Sequence, residues 1–254
     1  MPLASTVKII IAIDFACQAA DKKINIDERV PLVGLGLFYI PNTDGGAHPA
    51  WLKHIKENNL VDQNTVSLRE VARGMITFSS NANTEYLMSR LGLDNINKNI
   101  ASLNLKNHDK LYPFISALYL FRNDKGIPEN QFYDMMKQMS IGEYVEEAHK
   151  VHERLKNDRD SSFRKTFIFP GLDLQRIWSD RLPRSTAREY TELLNKIAGK
   201  KFFPESVQKQ LDALLEWPME MNPKNKERFR CLGGKAGSTA FVLTYALYGC
   251  DHEG

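Results

Sequence analysis

The feature that most limits the fold of this chain is an apolar block near its start, Val7 to Ala20. The block shows no alternation of polar and apolar positions, which favours a helix over a half-buried strand. Its bulky side chains are Ile9, Ile10, Ile11, Ile13 and Phe15. Little of such a helix can face water, so it must lie inside a core. With 254 residues, the chain is long enough to build that core without the support of disulfide bonds or metal ions.

The composition is that of an ordinary globular protein, with 43% hydrophobic and 26% charged residues. These values exclude a disordered chain, a collagen-like chain and a disulfide-rich miniprotein. The formal net charge of +3 does not by itself favour a nucleic-acid or membrane-surface partner. The most apolar runs, Val7 to Cys17 and Ala240 to Tyr248, are too short to span a bilayer.

Metal binding is not predicted from the cysteines or the histidines. Cys17, Cys231 and Cys250 are odd in number and widely spaced, so they fit neither a zinc cage nor a full disulfide framework. His149 and His152 lie three residues apart on a predicted helix, but no third ligand is evident. We interpret this pair as part of a solvated helix face.

Capping patterns and hydrophobic periodicity predict a mostly helical chain with strands near its end. Ser67 with Glu70, and Thr186 with Glu189, have the spacing of capping boxes. The predicted helices are Val7–Ala20, Ser67–Phe78, Thr84–Leu91, Pro128–Met139, Glu143–Leu155, Ser185–Ile197 and Pro204–Trp217. The predicted strands are Val33–Ile40, Arg228–Leu232 and Thr239–Tyr248, the last two joined by a turn at Gly233–Gly237.

A serine and a lysine open the buried helix, at Ser5 and Lys8. Their spacing of three places the hydroxyl and the amine on one helical face. A desolvated lysine can take a proton from a serine, because burial disfavours the ammonium form. The helix N-terminus also favours negative charge that develops on the serine side. Taken alone, the pair is more often a capped helix whose lysine reaches the surface.

Two further short motifs carry polar side chains at turns or strand openings. Ser79 to Asn81, with the sequence Ser-Ser-Asn, lies between two predicted helices. Lys235 to Ser238, with the sequence Lys-Ala-Gly-Ser, opens a late strand, where glycine lets a ligand approach the strand closely. Taken alone, the first fits a polar turn and the second an ordinary hairpin with an edge lysine.

Taken in order, the three motifs resemble the signature of the penicillin-recognising serine enzymes, which is Ser-x-x-Lys, then Ser-Asp-Asn, then Lys-Thr-Gly. The chain is most similar to the class A serine β-lactamases and related serine hydrolases. The stretches Val66 to Asn81, Tyr86 to Gly92 and Ser185 to Arg188 agree with the family pattern. The resemblance covers roughly residues 2 to 92 and 184 to 248, while the middle matches poorly and is longer than usual.

The resemblance implies an α+β fold of the β-lactamase/transpeptidase type, in which a helical domain packs on an antiparallel sheet with the active site at their junction. We expect residues 1–40 to hold the nucleophile helix and the start of the α/β part. Residues 41–200 would form a mostly helical domain with the Ser-Ser-Asn turn and an extended middle. Residues 201–254 would supply a late helix and the sheet strands with Lys-Ala-Gly-Ser.

The two ends of the chain differ from the family pattern. In the family, two strands precede the nucleophile helix, and further strands and a long helix follow the Lys-Thr-Gly strand. Here Ser5 is almost at the start, so we expect terminal strands to be missing from this chain. No signal peptide is visible, but a full-length protein that follows the family would be periplasmic or secreted.

Carried over by residue, the resemblance implies a covalent mechanism. Ser5 would be the acylated nucleophile, and Lys8 would accept its proton or form part of a relay. Ser79 would pass a proton to the leaving nitrogen. This chemistry needs neither a metal nor an organic cofactor, and it implies a small-molecule or peptidoglycan-like substrate as the partner.

The resemblance also implies a set of substrate-binding groups. Asn81 would hydrogen-bond the side-chain amide of the substrate. Lys235 would supply positive charge, and Ser238 a hydroxyl, for the substrate carboxylate, with Gly237 beside them in the strand. The backbone N–H groups of Ser5 and Ser238 would form the oxyanion hole.

Three departures from the family pattern bear on activity. Ser80 stands where the family has aspartate, and Ala236 where it has threonine. The segment Phe167 to Pro183, where class A enzymes carry the glutamate that drives deacylation, has no glutamate and offers only Asp173 and Asp180. Without a poised base, hydrolysis of the acyl-enzyme should be slow.

The sequence therefore predicts a serine acyl-transfer hydrolase of β-lactam or peptidoglycan-like amides, acting through an acyl-enzyme on Ser5. Two alternatives remain open because of the departures. One is a non-catalytic β-lactamase-like binding module, and the other is a slow-deacylating penicillin-binding D,D-peptidase.

Overall fold

The computed structural model describes residues 1–253, so Gly254, the last residue of the third predicted part, lies outside the described residues. The helices in this range are α1 (Lys8–Ala20), α2 (Leu32–Gly36), α3 (Ala47–Glu57), α4 (Leu68–Arg73), α5 (Asn81–Leu91), α6 (Leu93–Ser102), α7 (Glu129–Gln138), α8 (Ile141–Lys156), α9 (Leu172–Arg181), α10 (Ala187–Ala198), α11 (Glu205–Leu215), α12 (Trp217–Met221) and α13 (Asn225–Arg228). The strands are β1 (Arg29–Pro31), β2 (Thr65–Ser67), β3 (Phe229–Ser238) and β4 (Leu243–Asp251). Within the described residues, no helix is long and apolar enough to cross a membrane.

Helix α1 lies at the centre of the core, as its sequence predicts. Its apolar side chains from Ile9 to Ala16 are almost completely buried. It is preceded by a short 3-10 turn, Ala4–Val7, and it packs against α5, α6 and α11. This packing holds the 3-10 turn and the first turn of α1 in place, and thereby fixes the positions of Ser5 and Lys8.

The strands form two small antiparallel sheets, β1 with β2 and β3 with β4. In the longer hairpin, Lys235 pairs with Ala246 and Gly237 pairs with Thr244. This hairpin packs against the Ala4–Val7 turn. A largely helical body against an antiparallel hairpin confirms the predicted fold class, whereas the division at residues 40 and 200 stays a prediction.

The predicted turn at Gly233–Gly237 is wrong, because these residues lie inside β3. The chain reverses instead after Ser238, where the Thr239 N–H donates to Val242 O at 2.8 Å. The glycines serve close approach rather than a turn. A Cβ atom on Gly237 would lie 2.5 Å from the Ser5 nitrogen, and Gly234 has a φ of +136°.

Helix ends are predicted well where a cap is present. The Ser67 hydroxyl accepts from the Glu70 N–H at 3.3 Å, and the Thr186 hydroxyl accepts from the Glu189 N–H at 3.2 Å. In contrast, the predicted strand Val33–Ile40 is wrong, because α2 and a following turn occupy this segment. A short apolar run without alternation does not separate a strand from a buried helix.

A disulfide joins Cys231 to Cys250 across the β3–β4 hairpin, and Cys17 is free. This bond is not predictable from the cysteine spacing, because the two cysteines are 19 residues apart and only the strand register brings them opposite each other. The bond links the strand that carries Lys235 to its neighbour.

Candidate active site

A cavity of about 490 Å³ opens where the start of the chain, the 42–45 loop, the Ser-Ser-Asn turn, α9 and the β3–β4 hairpin meet. The predicted site residues that line it are Ser5, Ser79, Asn81, Lys235, Gly237 and Ser238. Lys8 lies beneath this surface, fully buried, and hydrogen-bonds to both Ser79 and Asn81. Three distant stretches of the sequence therefore come together, as the motifs predict.

The Ser5 segment is held by its own backbone and by the hairpin. Leu3 O accepts hydrogen bonds from the Thr6 hydroxyl at 2.6 Å and from the Thr244 hydroxyl at 2.8 Å. Ala4 has a φ of +47°, a left-handed conformation that costs energy for a residue with a side chain. This tight turn leaves Ser5 half-buried at the cavity wall.

The Lys8 side chain is the most constrained charged group of the site. Its Nζ donates to Ser79 O at 2.8 Å, to Ser79 Oγ at 3.2 Å and to Asn81 Oδ1 at 3.0 Å. Among residues 1–253, its hydrogen bonds go to these two residues and none goes to Ser5. Burial, followed by the positive charge of Lys235, holds the pKa of Lys8 well below its usual value. Release of a proton from this ammonium is therefore easier than in water.

The Ser79 turn follows a widened helical turn. Residues Gly74–Phe78 form a π-helix, and Gly74 O accepts from both the Ser79 and the Ser80 N–H groups. Ser79 has a φ of +70°, which is uncommon for a residue other than glycine. The Ser79 carbonyl and hydroxyl consequently lie together over the Lys8 ammonium. π-Turns within helices are often found at functional sites.

Ser80, at the position where the family has aspartate, is completely buried and caps α5. Its hydroxyl donates to Asn83 Oδ1 at 3.0 Å, accepts from the Asn83 N–H at 3.2 Å and is joined to His48 Nδ1 at 2.9 Å. Burial lowers the pKa of His48. Asn83 and His48 thus satisfy the hydrogen-bonding groups of Ser80, although the aspartate of the family is absent. No sequence pattern predicted a role for His48.

The lysine on β3 also lines the cavity. Lys235 is only 5% exposed, and its Nζ donates to Ala236 O at 2.9 Å. Burial lowers its pKa to about 8. Gly237 follows, close enough to the Ser5 backbone that a side chain would collide with it. The Ser5 amide and the strand at Gly237–Ser238 are therefore adjacent, as two oxyanion-hole donors would need to be.

Helix α9 forms the wall at the segment where family members carry a glutamate. Gln175 and Trp178 line the cavity, whereas Asp173 and Asp180 are exposed and do not. Within the described part of the chain, Asp44 is the one carboxylate of the cavity lining. Its Oδ2 accepts from the His48 N–H at 3.0 Å, and its Oδ1 is buried without a hydrogen-bond partner. The wall is therefore poor in groups that could activate water.

Half of the cavity is apolar, which the sequence analysis did not predict. The apolar lining residues are Phe114, Leu118, Phe169, Trp178, Leu182, Leu243 and Tyr245. Trp178 is fixed by donating its indole N–H to Phe114 O at 2.9 Å, and the neighbouring Ser179 hydroxyl donates to Thr239 Oγ1 at 2.9 Å. These residues come from four separate segments, and no motif marks them.

The interpretation of the histidine pair on α8 as a solvated face is wrong for His152 only, because His149 is exposed. His152 is 5% exposed, and its Nδ1 lies 2.7 Å from Glu85 Oε2. The ring also stacks on Phe38. Up to Glu253, no group of three or more His, Cys, Asp or Glu residues could hold a metal ion.

The fold and the placement of the serine and lysine motifs define a β-lactamase-like protein. The sequence matches the model of the Beta-lactamase enzyme family over residues 1–218, and the chain therefore belongs to that family. No protein of curated function matches the chain.

Solved β-lactamases share the fold at low sequence identity. The β-lactamase from Sphaerobacter thermophilus is 17% identical, with a TM-score of 0.56 over all of this chain and 71% of that chain. A β-lactamase from Chitinophaga pinensis is 15% identical, with a TM-score of 0.51 over 98% of this chain and 70% of that one. The TLA-1 extended-spectrum β-lactamase is 14% identical, with a TM-score of 0.50 over 99% of this chain and 76% of that one. This chain covers only 65% of the length of a class A β-lactamase from Bacteroides cellulosilyticus.

Proposed function

We propose that this protein is a serine acyl-transfer hydrolase that reacts with β-lactam or peptidoglycan-like amides and forms an acyl-enzyme on Ser5. The observation that carries the proposal is the buried Lys8 amino group, bonded to Ser79 and Asn81 under a cavity that Ser5 and Lys235 line. Membership of the Beta-lactamase enzyme family supports a hydrolase. The substrate class and the role of each residue belong to the proposal.

In the acylation step, Ser5 Oγ attacks the amide carbonyl carbon, and its proton passes to the neutral amine of Lys8 either directly or through a relay that includes Ser79, to which Lys8 is hydrogen-bonded. The depressed pKa of Lys8 supports this role, because a larger fraction of the amine is neutral near physiological pH. The oxyanion accepts hydrogen bonds from the N–H groups of Ser5 and Ser238. When the C–N bond breaks, Ser79 Oγ passes a proton to the leaving nitrogen and is reprotonated by Lys8, which lies 3.2 Å away.

Substrate orientation rests on the two polar ends of the cavity. The Lys235 ammonium, which is protonated at neutral pH because its pKa is about 8, attracts the substrate carboxylate, and Ser238 Oγ donates to it. The Asn81 amide faces the acyl side. Its Oδ1 is held by Lys8, which leaves the NH₂ group, 3.4 Å from Thr43 O, to reach a substrate carbonyl.

A slow-deacylating penicillin-binding enzyme is the second candidate, and the lining of the cavity favours it over a fast β-lactamase. Ester hydrolysis needs a base within hydrogen-bond reach of the attacking water. The α9 wall presents the neutral amide of Gln175 instead of a carboxylate. Asp44 is engaged by the His48 N–H through one oxygen, and its other oxygen is buried. We therefore expect the acyl-enzyme to persist.

The test is covalent labelling with a fluorescent penicillin, followed by intact-protein and peptide mass spectrometry. We expect one adduct per chain, located on Ser5, that Ser5→Ala and Lys8→Met abolish. Ser206→Ala is the matched control, because Ser206 is exposed on α11 and lies outside the cavity lining. A folded protein that forms no adduct would contradict the proposal and favour the non-catalytic binding module. Rapid turnover of a chromogenic cephalosporin would contradict slow deacylation alone.

A further inference from the structure

A second cavity, of about 650 Å³, lies in the extended middle of the chain and shares no lining residue with the candidate active site. It lies between α7, α8 and the segment that begins with the 3-10 turn Ser116–Phe121. Helix α7 packs on α9, whereas α8 packs on the 3-10 turn. Because the two helices have different packing partners, they leave a groove between them.

The floor of this groove is apolar. Phe132, Met136 and Phe163 are buried, with exposures of 5%, 1% and 4%. Met135, at 42% exposure, and the half-buried Met139 form one side. Methionine side chains are flexible and polarisable, so a surface of this kind adapts to a hydrocarbon ligand.

Most of the charged residues around the groove already have partners. Arg122 pairs with Asp124 at 2.9 Å, and Lys150 pairs with Glu147 at 2.8 Å. Glu143 accepts from the Ser140 hydroxyl at 2.7 Å as part of the capping box of α8. The two ion pairs therefore contribute little net charge to a ligand, whereas Glu143 keeps its negative charge at the N-terminal end of α8, 11 residues or about 16 Å along the helix from Arg154.

Two cations remain, Lys125 and Arg154, which have no ion pair within residues 1–253. The Arg154 guanidinium lies over the Phe163 ring, 4.0 Å from its centroid, so it is held at the edge of the apolar floor. The groove thus combines an apolar floor with two cations, Lys125 and Arg154, that have no ion pair within residues 1–253.

We propose that this groove binds an amphipathic carboxylate of the fatty-acid class. The carboxylate pairs with Arg154 and Lys125, and the hydrocarbon chain lies along the methionine and phenylalanine side chains. The volume is in the range of small-molecule sites. A peptide in extended form fits less well, because the walls are helices that offer no free strand edge to its backbone groups. The proposal does not depend on the proposed function.

The test is isothermal titration of the full chain with laurate and octanoate below their micelle concentrations. We expect one saturable site, with laurate bound more tightly by about fourfold for each additional methylene that is buried. Arg154→Ala should weaken laurate binding by about 10-fold or more, because a charge-assisted contact is lost. Lys156→Ala is the matched control, since Lys156 lies on the same helix but does not line the groove, and its affinity should equal that of the wild type. Met135→Asp, which adds negative charge at an exposed position, should weaken binding as well.

Absence of saturable laurate binding would overturn the proposal. So would equal affinity for dodecyltrimethylammonium, or equal effects of Arg154→Ala and Lys156→Ala. Loss of laurate binding after Ser5 has been labelled with penicillin would also overturn it, because the fatty acid would then occupy the other cavity. Circular dichroism of each variant confirms that the folded protein is being compared.

Discussion

Gly237 offers the sharpest test of how the hairpin and the nucleophile segment fit together. In Gly237→Ala, the new methyl carbon would lie 2.5 Å from Ser5 N, 2.8 Å from Leu3 O and 2.8 Å from Thr6 N. Ordinary contacts between such atoms begin near about 3.5 Å, so the strand and the segment must separate by about 1 Å. A displacement of this size lowers a rate that depends on geometry by about 100-fold. Overpacking of this kind also costs about 1–3 kcal/mol of stability.

The assay is the second-order rate constant for labelling of Ser5 by a fluorescent penicillin, together with a thermal melt. The melting temperature should fall by about 2–4 °C for each kcal/mol lost in a chain of this size. Gly249→Ala is the matched control, because its methyl group would meet side-chain atoms that can move, the Phe229 ring at 3.3 Å and Leu232 Cδ1 at 3.5 Å. If Gly237→Ala reacts as fast as the wild type, the close approach of the strand does not position the nucleophile.

Three further outcomes are expected. Burial lowers the pKa of Lys235 to about 8, so between about pH 8 and pH 10 the unfolded chain holds a proton that the folded chain has lost. The free energy of unfolding should therefore rise with pH across this window, by up to about 3 kcal/mol, and denaturant titrations of Lys235→Met should show a smaller rise. Gln175→Glu places a carboxylate on the cavity wall and should shorten the lifetime of the acyl-enzyme in time-resolved mass spectrometry, while Leu172→Glu, exposed on the same helix, should leave it unchanged. Replacing Cys231 and Cys250 together by serine should cost about 3 kcal/mol in urea unfolding, and reductant should then have no further effect.

The helical part of the fold could largely be predicted from the sequence because its determinants are local. The apolar block of α1 and the caps at Ser67 and Thr186 depend on residues that are close together in the sequence. The hairpin turn could not be predicted, because Gly237 looks like a turn residue and its real constraint is the Ser5 segment, more than two hundred positions away. Non-local contacts of this kind leave no mark in a short sequence window.

The polar half of the candidate site could be predicted from motif spacing, and the apolar half could not. Ser5, Lys8 and Asn81 are recognisable because chemistry requires specific residue types at fixed intervals. Trp178 and Tyr245 line the same cavity, but any large apolar side chain could serve there, so neither stands out before the chain is folded.

Because of the π-helical turn at Gly74–Phe78, the orientation of Ser79 depends on the exact number of residues in this segment. One carbonyl, Gly74 O, collects two successive N–H groups there because the turn holds one residue more than a regular α-helical turn. A chain shortened by one residue within the turn could still close a normal helix, but every later position would rotate by about 100° around the axis. The hydroxyl of Ser79 would then point away from the Lys8 ammonium. Deletion scanning across the segment should therefore yield folded protein without penicillin labelling, a phenotype that side-chain substitutions at the same positions would not reproduce.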